Sequence, residues 1–66
     1  MTQFEYTNKL IALITTIELA NDKGDYEAVK DMTKELKKVM NKMAKDLNTD
    51  DFVQAMEMVR FITSVS

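Results

Sequence analysis

The stretch DYEAVKDMTKELKKVMNKMAKDL, Asp25 to Leu47, sorts its side chains by a three- and four-residue period. On a wheel advancing about 100° per residue, Val29, Met32, Leu36, Val39, Met40, Met43 and Leu47 share one face, and the lysines lie opposite. The steps 29, 32, 36, 39 and 43 alternate three and four, the seam of helices that cross at a shallow angle. One buried side and one wet side follow.

Punctuation flanks this helix on both sides. Upstream lies Asn21-Asp22-Lys23-Gly24-Asp25 and downstream Asn48-Thr49-Asp50-Asp51, in a chain with no Pro and a single Gly. Gly24 takes a left-handed backbone without penalty, so it stops a preceding helix. Asp25 then caps the middle helix, with Glu27 near the positive end of its dipole, and Asn48 or Thr49 caps a third in the same manner. The sequence predicts helices over about 2–21, 26–47 and 50–63. It reads as a single all-α domain over 1–66: a long antiparallel hairpin plus a shorter third helix, expected to assemble as a homo-oligomeric helical bundle.

The outer helices carry more apolar surface than one stripe accounts for. In the first, Tyr6, Leu10, Leu13, Ile14, Ile17 and Ala20 make the stripe while Phe4, Ile11 and Leu19 fall outside it. In the third, Phe52, Ala55, Met56, Val59 and Ile62 make the stripe, and Met58, Phe61 and Val65 project elsewhere. A chain of 66 residues buries only about 60% of its unfolded surface, and this one has no Cys for a disulfide. Association with another chain supplies the missing burial. Phe4, Ile11, Leu19, Met58, Phe61 and Val65 are therefore the candidate partner or oligomer interface.

Composition narrows the chemistry. With no Cys and no His, the thiolate ligands and the commonest general base are missing. Asp50 and Asp51 are sequence neighbours and do not face each other on a helix. Thr15 and Thr16 have no His to activate them. The carboxylates around Gly24 lack the alternating spacing of a calcium loop, with Lys23 standing inside the cluster. The expectation is a non-enzymatic protein with no catalytic residues, no metal and no cofactor. Five methionines besides Met1 mostly lie on the stripes and read as core filler. Met58, beside Phe61 and Val65, reads as partner surface.

Nine Lys and Arg against eleven Asp and Glu give a net charge of −2, too mild for a nucleic-acid mimic and against general nucleic-acid binding. The lysines are concentrated between Lys30 and Lys45. Lys34, Lys37, Lys38, Lys42 and Lys45 share a solvent face that offers an alternative role in binding phosphates, although neither Arg nor aromatics are interleaved with them for base stacking. Their plainer explanation is a solvated face whose cations complement the dipole. The apolar run Leu10 to Ala20 contains Thr15, Thr16 and Glu18 and is too short for a membrane span, so the expected location is cytoplasmic with no membrane partner. The functional expectation is a self-associating protein–protein interaction module, an accessory regulator or inhibitor of bacterial or phage origin whose partners are itself and another protein.

Overall fold

The computed structural model describes residues 1–65 and contains three helices: α1 (Gln3–Asp22), α2 (Tyr26–Asp46) and α3 (Thr49–Val65). Each boundary has a local cause. Thr2 Oγ1 accepts the Glu5 amide at 3.2 Å while Glu5 Oε1 accepts the Thr2 amide at 3.0 Å, a reciprocal box that satisfies two free donors at the start of α1. The hydrogen bonds to Thr2 hold the Glu5 carboxyl below its ordinary pKa. At the other end, Gly24 sits at φ +76°. The Asp25 amide reaches Ala20 O at 2.9 Å and the Gly24 amide reaches Asn21 O at 3.1 Å, the paired bonds of a glycine-terminated helix. Asp25 Oδ1 then accepts the Ala28 amide to open α2, and Asn48 Oδ1 accepts the Asp51 amide at 2.8 Å to open α3. Of the two candidate caps for α3, Asn48 holds the position. α3 also runs two residues beyond the expected Thr63, because nothing between Thr63 and Val65 breaks a helix.

The packing is that of a compact helical bundle in which α1 is the element the other two share. α2 and α3 each lie against α1 and barely meet one another. The molecule measures 36 × 25 × 14 Å along its principal axes. The core is Tyr6 and Leu10 from α1, Val39 and Met43 from α2, and Ala55 and Val59 from α3. Ile11, Leu13, Ile14, Leu36, Met40, Leu47, Phe52 and Met56 pack against it half-buried.

Two expected placements change. Ile62, assigned to the third helix's core stripe, is 36% exposed, because the buried sector of α3 centres on Ala55 and Val59 and leaves Ile62 at its edge. Ile11, expected among the surplus, is half-buried against the core, because α1 is flanked on two sides and its buried arc is correspondingly wide. The remaining polar fastening is between ends. The Tyr6 hydroxyl donates to Asp46 Oδ2, tying the start of α1 to the end of α2, and this bond with burial pushes the Tyr6 pKa up to about 12. No helix among the described residues is long and apolar enough to cross a membrane.

Candidate functional site

A chain flanked by helices on two sides of α1 still leaves α1 and α3 an outer seam. Phe4 lies in the first turn of α1, Ile62 lies at the edge of the buried sector of α3, and Met58 and Phe61 lie beyond that edge. Where the two helices run side by side they form a groove of about 830 Å³. From α1 it is lined by Gln3, Phe4, Thr7 and Asn8. From α3 it is lined by Ala55, Met58, Phe61 and Ile62, with Gln54 and Glu57. Of the six residues singled out from sequence, Phe4, Met58 and Phe61 line this one groove, and Ile11, Leu19 and Val65 do not.

Its apolar residues are open to solvent. Phe4 is 74% exposed, Phe61 65% and Met58 52%, and Val65, one turn beyond Phe61, is 70% exposed. At 150–250 Å² per aromatic side chain and somewhat less for the others, the free surface of these residues with Ile62 comes to on the order of 500 Å². Exposed apolar side chains gathered along one groove are commonly where a protein binds something.

Three of the polar side chains around the groove, Gln3, Thr7 and Gln54, are engaged with one another or with backbone. Gln3 Nε2 donates to Gln54 Oε1 at 3.4 Å, a long bond that bridges α1 and α3. Buried Thr7 returns its hydroxyl to Gln3 O at 2.9 Å. Among the described residues no buried side-chain nitrogen or oxygen is without a hydrogen-bond partner. The surface is therefore an apolar trough with a polar rim, and its chemistry is that of desolvation. Among the described residues, no three acidic side chains are grouped to hold a metal ion.

The other sequence-derived residues lie elsewhere. Leu19 is exposed near the far end of α1, roughly 22 Å along the helix from Phe4, and takes no part in the groove. Lys34, Lys37, Lys38, Lys42 and Lys45 are all exposed on α2 and line none of it. In the first half of α2, Glu27, Asp31 and Glu35 offset Lys30 and Lys34; the basic excess lies in the second half, where the helix dipole favours cations. Ile62 is the residue that sequence reasoning missed: its wheel position borders both the stripe and the surplus face. No protein-family model matches the chain, and no curated protein or solved structure is significantly similar to it.

Proposed function

We propose that this protein is a small non-enzymatic interaction module that associates with a second copy of itself through the α1–α3 groove, and serves in that form as an accessory regulator of another protein. The observation that supports this is the pair of phenylalanines, Phe4 and Phe61, held in water on adjacent helices around one trough. A large exposed aromatic contributes little to a lone chain, whereas buried at an interface it is the kind of anchor that dominates association. The groove and its exposed helix belong to the same patch, so the patch can be both receptor and ligand.

Sedimentation equilibrium over a wide concentration range tests the proposal. The wild type should approach twice the 7.6 kDa of the chain, and Phe61→Asp should remain at the monomer mass with its helical circular dichroism preserved. A wild type that stays at 7.6 kDa throughout, or a Phe61→Asp variant with unchanged association, would refute it. The alternative role for the lysine face, capture of phosphates, is supported by charge alone; replacing Lys38 and Lys42 by Glu should leave the association unaltered.

A further inference from the structure

The two reversals of the chain are built differently. Between α1 and α2 the turn is fixed locally, by Gly24 at φ +76° and the paired bonds around it. Between α2 and α3 only Leu47 and Asn48 intervene, and from Asp25 onward the sequence has neither Gly nor Pro. Leu47 leaves the helical region, at φ −103° and ψ 148°, and Asn48 caps α3 by accepting the Asp51 amide. Neither residue type stops a helix, since Leu is a strong helix former and Asn an ordinary one. The bend is therefore held by what α3 docks on.

We infer that α3 exchanges between two copies of the chain, with Leu47 and Asn48 as the hinge: α2 and α3 straighten into one helix, and each α3 docks on the α1 of the other copy. What makes this exchange cheap is where α3 packs. Its buried Ala55 and Val59 join a core with Tyr6 and Leu10 of α1, whereas α2 and α3 barely meet. A second copy offers the same face of α1, so exchange remakes the main contact of α3 and gives up only the slight one with α2. Straightening adds backbone hydrogen bonds across the hinge, at the cost of the Asn48 cap and the half-buried seat of Leu47. Gains and losses both lie at the hinge, so concentration and these two residues set the balance. One two-fold operation fills both α1 faces, and assembly stops at the dimer. The outer groove plays no part, because its lining is the same whichever chain supplies α3.

Gln3 and Gln54 are hydrogen-bonded between α1 and α3, and the chain has no Cys, so cysteines at these two positions report whose α3 is docked. Every chain in the experiment also carries Phe61→Asp, which removes association through the groove, and a short bis-maleimide is the cross-linker. A chain with both Gln3→Cys and Gln54→Cys should link internally, the sign that it folds with the pair in reach. Gln3→Cys chains unfolded in urea and refolded at high concentration with Gln54→Cys chains should link to one another. A flexible four-residue insert of Gly and Ser between Leu47 and Asn48, which keeps α3 at high effective concentration beside its own α1, should cut that yield at least about fivefold. Asn48→Ala removes a cap that only the bent form uses; it should favour exchange roughly fivefold per hinge and tighten the dimer about 30-fold in sedimentation. Refolded mixtures that never link would overturn the exchange, as would a yield unaltered by the insert or an Asn48→Ala dimer no tighter than its parent. Failure of the groove association proposed above leaves all three readings unchanged, so the two proposals fail separately.

Discussion

Two valines buried to a similar degree, Val59 on α3 and Val39 on α2, test how independently the two outer helices are held on α1. They are 3% and 6% exposed and belong to the same core. Truncating either to Ala deletes two buried carbons, worth about 1.6 kcal/mol of transfer at 0.8 per methylene, and leaves a small cavity that adds to it. The better helix propensity of Ala returns roughly 0.5 kcal/mol, for a net loss near 2 kcal/mol. What differs is who feels the loss. Because α3 touches little besides α1, Val59→Ala should weaken the docking of α3 alone. Native-state hydrogen exchange on the monomer should show the amides of α3 exchanging roughly 30-fold faster, with those of α1 and α2 nearly unchanged. Val39→Ala, which loosens the hairpin on which α3 rests, should accelerate all three helices. If Val59→Ala speeds α1, α2 and α3 by one common factor, the three helices open as a single unit and the independence of α3 inferred from its slight contact with α2 is wrong.

Other outcomes follow from the ends of the helices and from Tyr6. Gly24→Ala should cost about 1–2 kcal/mol in urea unfolding, all of it backbone strain at φ +76°, since an added Cβ meets nothing within 4 Å; Gly24→Asn should cost less. Thr2→Ala, which removes one half of the reciprocal box, should lower stability by about 1 kcal/mol and speed exchange in the first turn of α1. The folded-state pKa of Tyr6 is raised above its unfolded value near 10. Its stabilising contribution is therefore complete below about pH 10 and lost as pH rises through about 12. In a Tyr26→Phe background, spectrophotometric titration should show the remaining phenol ionising near 12, and Asp46→Asn should move that ionisation down.

The middle helix was legible because its two faces are chemically unlike, with lysines on one side and aliphatics on the other. Gly24 and Asp25 behaved as their residue types dictate, since a stop and a cap depend on neighbours within five positions. The box at Thr2 and Glu5 is equally local and visible as T-x-x-E. What the sequence did not contain was the arrangement between helices. A wheel ranks the sides of one helix but says nothing of where the next stands, so Ile62 could be assigned to the core and Ile11 to the surplus. Phe4 and Phe61 were each flagged from their own helices. Their meeting in one groove depends on how α1 and α3 run side by side, a tertiary fact with no periodic signature.

The central position of α1 has a consequence for the order in which the chain assembles. Gln3 and Gln54, hydrogen-bonded in the finished molecule, are 51 positions apart, whereas α1 and α2 are joined by three residues. Closing the short hairpin costs little loop entropy and should happen early; the late-made C-terminal helix then lands on a strip of α1 that has stood uncovered during synthesis. The first helix to be made is thus the last to be fully covered.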